Sequence, residues 1–103
     1  MEFLVEIEVL VPPLMEKTDR DRLIEAERVR GRELTAEGII RAIWRIPGRF
    51  ANCAIWSCAD ATKLHEAISS LPMWPFADVQ VTPLAQHALA THCQGLAPGL
   101  VVE

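Results

Sequence analysis

The 103 residues predict an α+β domain of order β-α-β-β-α-β, the split-βαβ or ferredoxin-like arrangement, an antiparallel sheet with both helices on one face. Three observations carry this expectation. The chain opens on alternating apolar and charged residues, two stretches keep helical spacing between capping residues, and Pro47-Gly48 joins two apolar runs as a hairpin would.

From Glu2 to Val11, residues Phe3, Val5, Ile7, Val9 and Val11 fall on one side and Glu2, Glu6 and Glu8 on the other. This is a half-buried strand that Pro12-Pro13 ends. Thr18 offers an N-cap, Asp19 and Asp21 suit a first turn, and Gly38 offers a stop, so Asp19 to Glu37 is expected to be helical. Ile39 to Ile46 and Ala51 to Cys58 flank the turn as a hairpin. Asp60 caps a second helix, in which Ala61, Leu64, Ala67, Ile68 and Leu71 keep helical spacing until Pro72. Past the corner LPMWPF, Ala77, Val79 and Val81 alternate with Asp78, Gln80 and Thr82 as a fourth strand. Strand residues on both faces read as largely apolar, so the face without helices is expected to pack on another subunit's sheet. That also explains how a chain this small carries 50% hydrophobic residues.

Composition narrows the function classes. The formal charge is −4 with both signs interleaved, so there is no electrostatic footprint for nucleic acid or an anionic membrane. The start MEFLVEIEVL has no basic leader, and no apolar run approaches the ~20 residues of a membrane span, so a soluble cytoplasmic protein is expected. Cys53, Cys58 and Cys93 are odd in number and lack a CxxC pair, which points to reduced thiols. The tail segment HALATHC holds His87, His92 and Cys93 without a second ligand cluster, so no metal is expected.

Several charges sit where a plain fold would not need them. Leu23, Glu27, Arg30 and Leu34 follow one another at i, i+4, i+7 and i+11, on one stripe of the first helix. Either Glu27 and Arg30 pair at the interface edge with solvated heads, or Glu27 is a carboxylate facing the sheet, where desolvation raises its pKa toward a value useful for proton transfer. Gly31 allows close approach on that side. In the second strand, strict alternation puts Arg41 and Arg45 on one side with Ile39 and Ile43. Their anion is Glu6 or Glu8 of the first strand, or the carboxylate of a bound molecule. Asn52 donates to a carbonyl or satisfies the turn, and His65 flanks its helix's apolar stripe, the place of a capped or solvent-touching histidine. Trp44, Trp56 and Trp74 are expected mainly to carry buried area.

The segment IIRAIWRIPGRFANCAIW resembles the LWR-x-x-G-x-x-AN hairpin of the muconolactone delta-isomerase family. LHEAISSLPMWPFADVQVTPL and the start MEFLVEIEV followed by Pro12 are similar to the same family, without an obvious gap from Met1 to about His87. Residues 1–87 are therefore expected to form the domain, and 88–103 an extended or disordered tail. The resemblance implies a dimeric α+β barrel assembling into a homo-oligomer, typically a decamer, with no cofactor or metal. It also implies a role in bacterial catechol breakdown by the β-ketoadipate pathway, converting muconolactone, a small lactone carboxylate, to 3-oxoadipate enol-lactone. That reaction moves a proton from the γ ring carbon to the carbon α to the carbonyl. By matching position, the resemblance implies Glu27 as the base, with His65 of the LHE motif competing or assisting. Arg45, or else Arg41, would clamp the substrate carboxylate, and Asn52 or the Trp44 indole N–H would serve the dienolate oxygen. Where family members often carry a lysine and tyrosines, this chain has Ile24, and Phe50, Cys53 and Phe76. A chloro- or methyl-substituted muconolactone, or a non-catalytic barrel binding a small acid, stays open as an alternative.

Overall fold

Strand β1 (Glu2–Val9) is a central strand of the computed structural model, which describes residues 1–90. Along the chain follow α1 (Lys17–Ala36), β2 (Ile40–Arg45), β3 (Ala51–Ser57), α2 (Ala61–Ser69), a 3-10 turn (Trp74–Phe76) and β4 (Ala77–Leu84). β1 pairs antiparallel with β3 on one side and β4 on the other, giving the order β2-β3-β1-β4. The element order is the expected one, and the tail expected over 88–103 lies, from residue 91 on, outside the described residues.

The register decides which side chains meet the helices. Phe3 stands between Trp56 and Pro83, Val5 between Ala54 and Val81, and Ile7 between Asn52 and Val79. Directly opposed residues share a face, so these rows form one side of the sheet. The helical layer closes over it with Leu34 from α1, Leu64, Ala67 and Ile68 from α2, and Leu71 beyond it. Trp56, Phe3, Leu34 and Val5 are fully buried there, each burial favouring the fold by about 1.5–3 kcal/mol.

Helix α1 begins at Lys17 rather than Asp19, and Glu16 holds the N-cap position without a side-chain bond. Thr18 therefore lies inside the first turn and does not cap it. Arg20 N–H bonds to Glu16 C=O at 2.9 Å, and Lys17 Nζ bonds to Asp21 at 2.8 Å, which closes helical turns upstream of the expected start. Gly38 does end the helix, at φ 80°, with its N–H on Thr35 C=O. Asp60 caps α2 by accepting the Lys63 N–H at 2.8 Å. β1 stops at Val9, two residues short of Val11: Val9 pairs with Ala77, the first residue of β4, and beyond it a single bond, Leu10 N–H to Phe76 C=O at 2.7 Å, reaches the 3-10 turn rather than a strand.

The hairpin turn has Pro47 and a positive-φ Gly48 at its centre, with Arg49 N–H on Ile46 C=O at 3.3 Å, the pattern of a type II turn. Strict alternation along β2 fails, however. The pairing with β3 shifts between Ile40 and Ala42, so Arg41 is the extra residue of a β-bulge. Arg41 lies 3.8 Å from Glu2, whereas Arg45 stays in register with Asn52 on the helix side. The two arginines do not share a face.

The face without helices is mixed rather than largely apolar. Ala42 and Trp44 of β2, Ile55 of β3 and Leu4 of β1 make its apolar part, and Glu6, Glu8, Asp78, Gln80 and Thr82 line the β1 and β4 side. Arg49 of the turn forms an ion pair with Glu8. Edge strand β4 contains Pro83, which is tolerated there because an edge strand has donors without a ladder partner.

Because Leu34 is the fully buried anchor of α1, Leu34→Ala is expected to destabilise the chain by about 2–5 kcal/mol. Asp60→Ala, which loses only a cap, is expected to cost about 1 kcal/mol. Urea unfolding ranks the two, and equal costs would contradict the packing assigned to α1.

Candidate active site

The inner stripe of α1 runs Leu23, Ile24, Glu27, Arg30, Gly31, Leu34, none of them fully exposed. Leu34 holds the C-terminal half of this stripe against the sheet and leaves Glu27 half-buried beneath the LPMWPF corner. Glu27 Oε1 accepts the Met73 N–H at 2.9 Å. Burial pushes the Glu27 carboxyl above the ordinary carboxylate pKa, and the Met73 N–H pulls partly back by favouring the charged form. Arg30 does not pair with Glu27. Its Nε donates to Ser70 Oγ at 2.9 Å and its Nη1 to Glu33 at 3.0 Å.

Sequence reasoning did not find the Met73 donor, because a backbone N–H carries no residue signature. Donor accounting across the corner does isolate it. Pro72 and Pro75 have no N–H, while those of Leu71, Trp74 and Phe76 bond to Ile68, Leu71 and Met73 carbonyls. Met73 holds the donor left over, and the glutamate one helix away takes it.

The Arg45 row lies at the same end of the same face. Met73 precedes the start of β4, Ala77 pairs with Val9, and the Ile7, Asn52, Val79 row sits two residues further along β1. Arg45 opposes Asn52 in that row. Arg45 Nη1 donates to Ala51 C=O at 3.4 Å, and its guanidinium sits 5.8 Å from the Phe50 ring centroid. Among the described residues neither Glu6 nor Glu8 forms an ion pair with Arg45; Glu8 takes Arg49 instead. Asn52 Oδ1 is buried without a hydrogen-bond partner among the described residues, a condition that costs about 1–3 kcal/mol until a donor relieves it.

His65 stands on the other side of the corner. Its ring meets Trp74 edge-on at 5.6 Å and 87°, and it lines an apolar groove of about 340 Å³ with Phe3, Leu64, Ile68, Trp74 and Val81. Glu27, Arg45 and Asn52 do not line that groove. Adjacent corner residues thus touch the two candidate acid/base groups, Met73 on Glu27 and Trp74 on His65. Arg41 and Trp44 belong to neither cluster, because Arg41 lies near Glu2 and Trp44 opposes Cys53 on the open face, 49% exposed. Of the three tryptophans expected to carry buried area, only Trp56 is fully enclosed. Among the described residues no group of three or more His, Cys, Asp or Glu side chains is placed to hold a metal ion, and no helix is long and apolar enough to cross a membrane.

The arrangement suits carbon-acid chemistry, since a carboxylate of raised pKa is a stronger base than a solvated one. The raised pKa also fixes the sign of a stability effect. Stability from this group is fully present below the ordinary carboxylate range and is lost as pH rises through the folded pKa. Glu27→Gln keeps an acceptor for Met73 N–H, so it is expected to be more stable than wild type at pH 7 to 8, with the advantage vanishing below about pH 4. Urea unfolding across that range checks this, and a pH-independent difference would contradict the burial assigned to Glu27.

The sequence family described as Muconolactone delta-isomerase matches residues 1–90. The chain is 37% identical over 92 residues to Muconolactone Delta-isomerase 2 of Acinetobacter lwoffii, covering 89% of this chain and 96% of that protein. It is 33% identical to Muconolactone Delta-isomerase of Rhodococcus opacus, over 82% of this chain and 91% of that one. A crystal structure of a muconolactone isomerase superposes with a TM-score of 0.81 at 31% identity, covering 85% of this chain and 92% of that chain. With its sheet order, its half-buried helix glutamate and these similarities over nearly its whole described length, the chain belongs to the muconolactone delta-isomerase family.

Proposed function

We propose that the chain isomerises a small unsaturated lactone acid, muconolactone to 3-oxoadipate enol-lactone, with Glu27 as the proton-transfer group. The observation that carries this reading is a half-buried carboxylate of raised pKa at the same end of the sheet as Arg45, where among the described residues the carboxylate has no cationic partner and the arginine no carboxylate partner. Glu27 takes the γ ring proton. The C–H electron pair becomes the new β,γ double bond, the former α,β π pair shifts to the bond between the α carbon and the carbonyl carbon, and the charge rests on the carbonyl oxygen as a dienolate. The Glu27 carboxylic acid then returns the proton to the α carbon. Atoms and charge balance within the substrate, so one carboxyl group serves both transfers.

Arg45 supplies the clamp for the carboxymethyl arm, because a guanidinium with uncommitted donors matches a carboxylate in a bidentate pair. The Asn52 side-chain N–H, from the neighbouring strand, donates to the dienolate oxygen. His65 is the second acid/base to test, although the corner separates it from Glu27. Arg41 and Trp44, on the other face of the sheet, have no role in this site within one protomer. Ile24, half-buried one turn before Glu27, favours a second reading in which the ring carries an apolar substituent, methyl or chloro.

The apolar part of the open face, Leu4, Ala42, Trp44 and Ile55, supports a homo-oligomer built on sheet pairing, with a decamer as the assembly to look for. Cys53 and Cys58 are both free, which agrees with a reducing cytoplasmic setting.

Incubation with muconolactone, following enol-lactone formation, tests the activity. Glu27→Gln is expected to lower kcat by about 10²- to 10⁴-fold, and full activity would remove Glu27 from the mechanism. Arg45→Met is expected to raise KM about 10-fold or more with a smaller change in kcat. Absence of turnover on muconolactone and on its chloro and methyl analogues would overturn the isomerase reading. Light scattering is expected to show a multimer, and a stable monomer at micromolar concentration would reject the assembly.

A further inference from the structure

We infer that Arg30 is a positioning residue for Glu27, a tether that fixes the LPMWPF corner so that the Met73 N–H stays on the carboxylate. The inference rests on the proton-transfer reading of Glu27 for its importance to catalysis, but not for its geometry.

Glu27 and Arg30 are one helical turn apart on the same stripe of α1, and each is bonded to the same short segment of chain. Arg30 holds the beginning of that segment through Ser70, the C-cap of α2, and Glu27 holds Met73 three residues later. The Ser70 hydroxyl both donates and accepts. It donates to Ala67 C=O at 2.6 Å and accepts Arg30 Nε–H at 2.9 Å, so the α2 terminus and the guanidinium are joined through one oxygen. On its other side the guanidinium meets Glu33 at 3.0 Å and Glu37 at 3.8 Å, which orients the fork toward Ser70. Between the two attachment points Leu71 is buried and Pro72 restricts the backbone, and Met73 itself is buried. The segment therefore has little freedom once Ser70 is held. Ser70 and Leu71 stay bonded through their own N–H groups to α2 carbonyls, so loss of the Arg30 bond loosens the corner only on its α1 side, and the Met73 donor shifts relative to Glu27.

Few other charges bear on Glu27. Arg30 is the only charged residue one turn away on its own helix, the corner LPMWPF carries none, α2 offers Lys63 and Glu66, which line a cavity with Arg30, and His65 on the far side of Trp74, and the helix side of the sheet offers Arg45. Loss of the Met73 donor would raise the Glu27 pKa further, because that bond favours the charged form.

The test follows the Glu27 side-chain carboxyl carbon by NMR titration in wild type, Arg30→Met and Ser70→Ala. Arg30→Met keeps the apolar stem, and both variants are expected to move the Glu27 titration upward, Arg30→Met by about one pH unit. In the lactone assay the acidic limb of kcat/KM is expected to move upward with it, at nearly unchanged KM. The double variant is expected to shift no more than Arg30→Met alone, since both changes break one tether. Arg30→Lys, which reaches Ser70 or Glu33 but not both, is expected to restore part of the shift. A loss of folded protein would scale activity equally at all pH values and leave the Glu27 titration in place, and that result overturns the inference. A shifted titration in a protein that turns over no lactone leaves the tether standing and overturns the isomerase reading alone.

Discussion

The register of β1 is the constraint from which the site follows. With Val5 locked between Ala54 and Val81, the odd-numbered residues of β1 face the helices and the glutamates face away. A slip of one residue would bring Glu2, Glu6 and Glu8 under the helices and expose Phe3, Val5 and Ile7, at a cost no other contact in so small a sheet offsets. The same register carries Asn52 to the helix side, and through the β2–β3 ladder it carries Arg45 there too. Polar groups on this face are therefore consequences of the pairing that makes the core. They stand at its end, where helix cover thins.

Two opposing effects set the state of Glu27. Burial favours the neutral acid, and one backbone donor favours the carboxylate. A second donor or a nearby guanidinium would hold the group ionised and weaken it as a base. Arg30 is the natural candidate for such a guanidinium, and Ser70, Glu33 and Glu37 occupy it. The arginine next along the stripe thus stabilises the architecture around the carboxylate without neutralising it.

Much of the fold was legible in the sequence because its signals are local. Alternation in MEFLVEIEV, the Pro47-Gly48 turn, the Asp60 cap and the helical spacing of α2 each depend on a few neighbouring residues, and each corresponds to an observed element. The Thr18 cap was misleading for a local reason, since Glu16 and Lys17 close helical turns just upstream. The Arg41 bulge was illegible because nothing in RAIWR marks an extra residue; the shift exists only against β3. Glu27 stood out as a charge on an apolar stripe, whereas its partner is a main-chain group distant in sequence. Arg45 and Asn52 were legible as odd polar residues, but that they share a row is a property of pairing.

The bulge at Arg41 has a consequence for the borders of the sheet. β2 and β4 are the two outer strands, and each breaks the regular row of outward N–H and C=O groups that a further strand would copy. On β2 the bulge puts the row out of step and adds a charge, and on β4 Pro83 removes a donor. Lateral extension of the sheet is thereby discouraged at both borders. That leaves the faces of the sheet rather than its borders open to contact, and contacts between faces can close on themselves and stop at a defined size.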